Sequence, residues 1–228
     1  MVENRSVIGD FFVSFYLNGD KSLVLANGIP SYITKHHPLV KFCEENKVNL
    51  FLPRYYGSFE ANGKFSIKSC IKTIEKAMHF ARSEKAIEIF NNKEISWNAG
   101  KIYLIGFSFG ALPTLLSSVS EKNTEIILIC PFVNASINTN NKCGAEEEIC
   151  YVEKAYPNLY RFKANILIKE CKSVIYPKKR DFTLVIGNKD SSISKEEIEF
   201  LKEKYQPKII EFEGGHTIPL NVLKELVT

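Results

Sequence analysis

The sequence predicts an α/β protein: a mostly parallel central sheet with helices on both faces. Three observations predict it. From residue 22 onward, strand-like runs alternate with runs of helical apolar spacing. Several strand-like runs, such as Ile102–Phe107 and Ile126–Cys130, are apolar without alternation, as strands buried on both faces must be. Finally, Gly106-Phe-Ser-Phe-Gly110 places a tight turn between an apolar strand and a helix-compatible run, the passage from strand to covering helix.

Taken in order, Phe11–Leu17 and Ser22–Ala26 are β-rich runs joined by Asn18-Gly-Asp20, which predicts a hairpin. Asn27-Gly28-Ile29-Pro30 ends the second run. His37–Asn46 has helical spacing at Leu39, Val40 and Cys43, with Pro38 in its first turn. Val48–Leu52 is a short buried strand, followed by Pro53–Glu60 and the turn at Asn62-Gly63. Ser66 to about Asn91 is the longest helical pattern, with Ile67, Ile71, Ile74, Met78, Ala81 and Ile89 mostly three or four apart. Ile102–Phe107 and Glu125–Cys130 are strands flanking a helix over Ala111–Val119, where Pro113 falls in the first turn. After an irregular stretch, Phe182–Ile186 is a strand. Ser194–Tyr205 is a helix with Ser194 as cap and Glu197 at the capping-box position. Lys208–Phe212 is the last strand, and Leu220–Val227 closes as a helix.

A chain of 228 residues suits one domain spanning 1–228, and residues 132–180 read as an insertion within it. That segment is rich in Asn, Thr and Ser, then acidic at Glu146-Glu-Glu148, then aromatic. With 45% hydrophobic and 25% charged residues, the chain has the balance of an ordinary globular protein. The net charge of +4 is spread along the sequence, and Lys178-Lys179-Arg180 reads as a solvated loop, so nucleic acid is not an expected partner. Met1–Arg5 has no signal-peptide features, and the longest apolar runs are too short to span a bilayer. A cytoplasmic location is therefore expected, with the six cysteines mostly reduced. Cys143 and Cys150 are the pair close enough in sequence for a local disulfide. No C-x-x-C pattern with a nearby histidine offers a metal site. In that compartment Asn4-Arg-Ser6 and Asn134-Ala-Ser136 are chance glycosylation sequons.

In an open parallel sheet, reactive groups gather at the carboxyl ends of the strands. Those ends carry Asn27-Gly28-Ile29, Arg54-Tyr55-Tyr56, Ser108, Asp190 and His216. A serine hydroxyl needs a base to take its proton as it attacks, and imidazole has a pKa suited to that task. A carboxylate holds the ring in the right tautomer and stabilises its charged form. Ser108, His216 and Asp190 fill these roles. Each also has a structural reading: a small residue in a tight turn, a packed loop histidine, and a turn aspartate in Gly-Asn-Lys-Asp190. Asn188-Lys-Asp190 is not a guanine-reading motif, since its spacing is short and no Gly-x-x-x-x-Gly-Lys loop accompanies it. His36, His37 and His79 read as structural or solvated.

On these residues the chain resembles the α/β-hydrolase superfamily over nearly its whole length, as a small serine esterase or acyl-peptidase-like member. Gly106-Phe-Ser-Phe-Gly110 is similar to the family's nucleophile turn, Val185–Asp190 to its acid-bearing turn, and Gly214-Gly-His216 to its histidine loop. Asn27-Gly-Ile-Pro30 resembles the family's His-Gly-x-Pro loop, with asparagine in place of histidine. The resemblance implies an oxyanion hole from the backbone N–H groups of Ile29 and Phe109. It also implies a trimmed N-terminal antiparallel edge, since fewer than thirty residues precede Gly28, and a cap at 132–180. Tyr55, Tyr56 and Tyr151 are the candidate substrate contacts. The implied activity is hydrolysis of a small-molecule ester or thioester through an acyl-enzyme, with no metal or organic cofactor. Two alternatives stay open: a peptidase using Glu146-Glu-Glu148 to receive a peptide terminus, and a non-catalytic binding protein on the same scaffold.

Overall fold

The computed structural model describes residues 1–119, 122–133 and 145–227. The Asn134 sequon and Cys143 lie outside them, and with Cys143 the question of its pairing to Cys150. The first half runs β1 (Glu3–Ile8), β2 (Phe11–Tyr16), β3 (Lys21–Ala26), α1 (Pro38–Glu45), β4 (Val48–Arg54), α2 (Ile67–Arg82), β5 (Lys85–Glu88) and β6 (Lys93–Ser96). The second runs β7 (Lys101–Phe107), α3 (Ala111–Leu116), β8 (Thr124–Ile129), α4 (Ala145–Ala155), α5 (Ala164–Lys172), β9 (Thr183–Gly187), α6 (Lys195–Tyr205), β10 (Lys208–Phe212) and α7 (Leu220–Val227). An eight-stranded sheet has the order β1-β2-β4-β3-β7-β8-β9-β10. From β4 to β10 every pairing is parallel, while β1–β2 and β2–β4 are antiparallel.

Side chains alternate between the two faces of this sheet, and each face has its own core. Val24, Phe51, Leu104, Leu128 and Leu184 pack with Ile74 and Met78 of α2, Leu112 of α3 and Leu201 of α6. Leu23, Leu25, Leu50, Ile105 and Ile127 pack on the opposite side with Leu39 and Cys43 of α1 and Leu223 of α7. His37 caps α1, its Nδ1 accepting the Leu39 N–H at 3.1 Å, which gives it a structural role. The Ser194–Glu197 capping box forms at α6.

Four expectations are corrected. The hairpin pairs β1 with β2 through Gly9-Asp10, and β4 lies between β2 and β3. Both β2 and β3 are buried along nearly their whole length, so each needs a neighbour on both edges. The Asn18-Gly-Asp20 turn crosses the start of β4 instead, held by buried Asn49. Its Oδ1 accepts the N–H groups of Asn18 and Gly19 at 2.9 and 3.0 Å, and its Nδ2 donates to the carbonyls of Gly19 and Asn98. Nor is the antiparallel edge trimmed: β1 and β2 supply it in short strands. The long helix stops at Arg82, because Glu84 takes a left-handed conformation (φ 56°) and the chain turns into the β5–β6 hairpin. Trp97 after that hairpin donates its indole N–H to the Ala81 carbonyl at 2.8 Å, closing the helix end. Arg180 of the basic run is buried and donates to the Val119 carbonyl at 2.9 Å, so only its neighbours are loop charges.

Replacing Asn49 with alanine strips partners from four part-buried backbone groups at once. The expected loss is about 2 kcal/mol or more of unfolding free energy, read from the midpoint of urea denaturation. An unchanged midpoint would show that the crossing does not depend on this amide.

Candidate active site

Ser108 stands where β7 ends. A single 3₁₀ turn over Ser108–Gly110 leads into α3, and Ser108 takes the left-handed conformation (φ 53°), which costs a non-glycine residue strain. The turn is tight enough to demand glycine on either side. A Cβ on Gly110 would stand 1.9 Å from the Ala26 carbonyl oxygen, and one on Gly106 would stand 2.7 Å from Ala111 Cα. Strand, turn and helix therefore pack at backbone contact, which is what lifts the serine above the end of the sheet.

Asp190 and His216 come from the two loops that follow β9 and β10. Backbone bonds join those loops: Asn188 N–H donates to the Phe212 carbonyl at 3.0 Å, and Lys189 N–H to the Gly214 carbonyl at 2.9 Å. The Gly214 N–H returns a bond to Asn188 Oδ1 at 3.2 Å. The result is a contact of 2.9 Å between His216 Nδ1 and Asp190 Oδ2. The other carboxylate oxygen accepts the Ser192 N–H at 2.8 Å. Burial pushes the Asp190 carboxyl up, but the hydrogen bonds from His216 and from the Ser192 N–H outweigh it and hold the group below its usual pKa. The Asp190 side chain is 3% exposed and that of His216 27%, so the aspartate backs the ring and the ring faces outward. The Phe107 ring packs on the imidazole with centroids 5.1 Å apart.

Ser108 and His216 open onto one cavity of about 630 Å³. Ile29, Phe109 and Tyr151 also line it, together with Phe132, Ile149, Ile193, Glu147 and Glu148. The lining is mixed: Phe107, Phe109, Phe132 and Ile193 are apolar, Ser191 and Ser192 are polar, and the acidic residues come from α4. The Asn27–Ser31 loop passes close by, and a Cβ on Gly28 would lie 3.4 Å from Ser108 Oγ.

No protein family's sequence profile matches the chain, and no curated protein matches it either. Solved structures do. The esterase Est1E from Butyrivibrio proteoclasticus with ferulic acid bound superposes with a TM-score of 0.64 at 13% identity, over 98% of this chain and 95% of that one. An esterase from Pyrococcus furiosus gives 0.62 at 16% identity, over 99% and 85%. A serine hydrolase without a lid from Xanthomonas campestris gives 0.57 at 12% identity, over 99% and 90%. This chain has the α/β-hydrolase fold.

Within the α/β-hydrolase fold, two of the expected substrate contacts are displaced. Tyr55 and Tyr56 do not line the cavity. Tyr55 is buried against Phe65 and Phe109 and donates its hydroxyl to the Asn27 carbonyl at 2.9 Å. Tyr56 turns toward α2, its N–H donating to Thr73 Oγ1 and its ring lying beside Lys72 and Lys76. Both follow β4, whose last residues are still in the sheet, so their rings are drawn under the helices rather than over the rim.

Cys130, just past β8 in a left-handed conformation (φ 45°), is a neighbour that sequence reasoning passed over. Its Sγ lies within 4.8 Å of the ligand atoms of both Asp190 and His216, and 3.8 Å from the carbonyl oxygens of Gly215 and Thr217. Its one signal in the sequence was its place at the carboxyl end of a strand. Among the described residues these three side chains are the one cluster with metal-ligand spacing. Burial first, and the Asp190 carboxylate second, push the thiol up to about 12, so it stays protonated and is a poor metal ligand as it stands.

The depressed Asp190 pKa has a definite sign. The group stabilises the fold above the unfolded carboxylate value of about 3.9, and that contribution disappears as pH falls through the lower folded value. Asp190→Asn should therefore narrow the gap between melting temperatures at pH 6 and pH 3 relative to wild type. An equal gap in both proteins would contradict the assignment.

Proposed function

We propose that this protein is a serine hydrolase that cleaves a carboxylic ester or thioester through an acyl-enzyme. The observation that carries the reading is the 2.9 Å contact of His216 Nδ1 with a buried Asp190 carboxylate, behind an imidazole that shares its cavity with a serine on a strained strand-to-helix turn. Ser108 Oγ attacks the carbonyl carbon and His216 Nε2 takes the hydroxyl proton. Asp190 fixes the ring so that Nε2 faces the serine and stabilises the imidazolium. The carbonyl oxygen, now carrying the negative charge, is received by the N–H groups of Ile29 and Phe109. As the intermediate collapses, His216 gives its proton to the departing alkoxide or thiolate. A water then repeats the sequence at the acyl-serine, regenerating the hydroxyl and releasing the acid. The segment 132–180 acts as the cap, since α4 supplies one wall of the cavity.

The esterase and serine-hydrolase structures that share this fold support the general class of chemistry. The choice of an ester over a peptide rests on the apolar residues Phe107, Phe109, Phe132 and Ile193 that line the cavity with Ser108. Glu147 and Glu148 on α4 favour a second reading, because a pair of acidic residues lining the cavity is suited to a substrate amine, as an aminopeptidase requires.

A fluorophosphonate probe should label wild type and fail on Ser108→Ala. His216→Ala should lower kcat on p-nitrophenyl acetate by about 10³-fold or more with the fold intact by circular dichroism. Faster turnover of an aminoacyl-arylamide than of the ester would transfer the assignment to the peptidase, and normal hydrolysis by Ser108→Ala would end the serine mechanism.

A further inference from the structure

Two tyrosine hydroxyls hold the two ends of the Asn27–Ser31 loop. At its start, Tyr55 Oη donates to the Asn27 carbonyl at 2.9 Å. At its end, the Ser31 N–H donates to Tyr160 Oη at 3.2 Å. Between them the Asn27 side chain closes the loop on itself, its Nδ2 donating to Ser31 Oγ at 2.8 Å and its Oδ1 accepting the Gly28 N–H at 3.0 Å. The loop thus has few independent ways to move, and it carries the Ile29 N–H past Ser108.

Tyr160 is not part of the sheet. It lies between α4 and α5, in the insertion, yet it is anchored rigidly to the loop after β4. Ser58 and Tyr160 form an antiparallel bridge, the Phe59 N–H donates to the Leu159 carbonyl at 2.8 Å, and the Arg161 N–H to the Gly57 carbonyl at 2.7 Å. Its ring packs edge-on against Phe59 and Phe65, with centroids 5.2 and 5.5 Å apart. Phe65 in turn touches both Tyr55 and Phe109. One aromatic cluster therefore supports both residues whose N–H groups would receive the oxyanion. Burial keeps both phenols neutral: that of Tyr160 is pushed up to about 12 and that of Tyr55 well above its usual range. Each remains a hydroxyl, able to donate and accept, at any working pH.

We infer that Asn27, Tyr55 and Tyr160 are positioning residues for transition-state stabilisation, and that Tyr160 makes the geometry of the oxyanion loop depend on the 132–180 segment. The inference rests on the serine-hydrolase reading above. None of the three side chains need touch substrate. Their effect runs through the Ile29 N–H, which meets the carbonyl oxygen most strongly once that oxygen is charged. Loss of a brace should then appear in kcat, with KM nearly unmoved.

The test uses the full chain as Tyr160→Phe, Tyr55→Phe and the double variant; phenylalanine keeps the ring packing. On p-nitrophenyl acetate each single variant should lose about tenfold in kcat, as a small displacement of a preorganised group does, with KM within about twofold. Affinity for an alkyl boronic acid, which adds to the serine as a tetrahedral anion, should fall by the same factor. The double variant should lose less than the product of the two single losses, since both hydroxyls hold one loop. An unchanged kcat in Tyr160→Phe would overturn the inference. So would a loss of activity that tracks a lowered melting temperature while boronate affinity stays at the wild-type value. Failure of the underlying reading looks different: Ser108→Ala would keep its activity and the boronate would not inhibit wild type.

Discussion

Everything at the candidate site depends on one register. Ala26 pairs with Gly106, Phe107 with Ile129, Ile129 with Val185, and Gly187 with Phe212. These residues are the last or nearly the last of β3, β7, β8, β9 and β10, so five neighbouring strands finish along one rim. The loops that follow them carry Ile29, Ser108, Cys130, Asp190 and His216. Because side chains alternate with a period of two, a slip of one residue in any pairing would exchange its core residues between the faces of the sheet. The two apolar cores forbid that slip. The rim is thus fixed by hydrophobic burial far below it, and its polar groups need no attraction for one another to be brought together.

That rigid base also explains why two strained residues persist side by side. Ser108 and Cys130 follow adjacent strands, and both take left-handed conformations that a side chain disfavours. Each costs on the order of 1–3 kcal/mol, and each is held by surroundings that leave no alternative. Beyond Ser108 the Gly110 backbone lies against the Ala26 carbonyl. Cys130 is held by its N–H, which donates to the Val185 carbonyl at 2.9 Å, and by its thiol against the histidine loop. The strain turns one side chain toward the cavity and the other beneath the His216–Asp190 pair.

What was legible in the sequence was whatever is encoded locally. Gly106-Phe-Ser-Phe-Gly110 could be read because the contacts that require its glycines lie within the turn and the neighbouring strand end. The Ser194 capping box could be read because it closes within four residues. Asn18-Gly-Asp20 misled for the converse reason. The turn chemistry is real, but what decides the pairing is Asn49, some thirty residues away, and the need of two fully buried strands for another neighbour. The helix over Ser66–Asn91 was overextended because Ile89 keeps the apolar spacing, whereas the stop is set by Glu84 and by Trp97 reaching back from beyond the hairpin. Tyr55 and Tyr56 sit next to the rim in sequence, and nothing in their spacing tells a ring beneath the sheet end from one above it.

Under the serine-hydrolase reading proposed above, the chemistry and the choice of substrate belong to separable parts of the molecule. Ser108, Asp190 and His216 belong to the strand ends, whereas Glu147, Glu148, Ile149 and Tyr151 belong to a single helix, α4. That helix leans chiefly on α5. Lys172 pairs with Glu146, and the Ala164 N–H donates to Glu153 at 3.1 Å. Its three N-terminal glutamates also have a reason that involves no ligand, because negative charge at a helix N-terminus is favoured by the helix dipole. Glu146 is matched by Lys172, and Glu147 and Glu148 are the acidic residues of α4 that line the cavity. For the acyl transfer proposed above, two acidic residues at the pocket disfavour an anionic substrate and favour a cationic one. On that reading, the α4 residues that line the cavity add a preference for substrate charge that the strand ends alone would not impose.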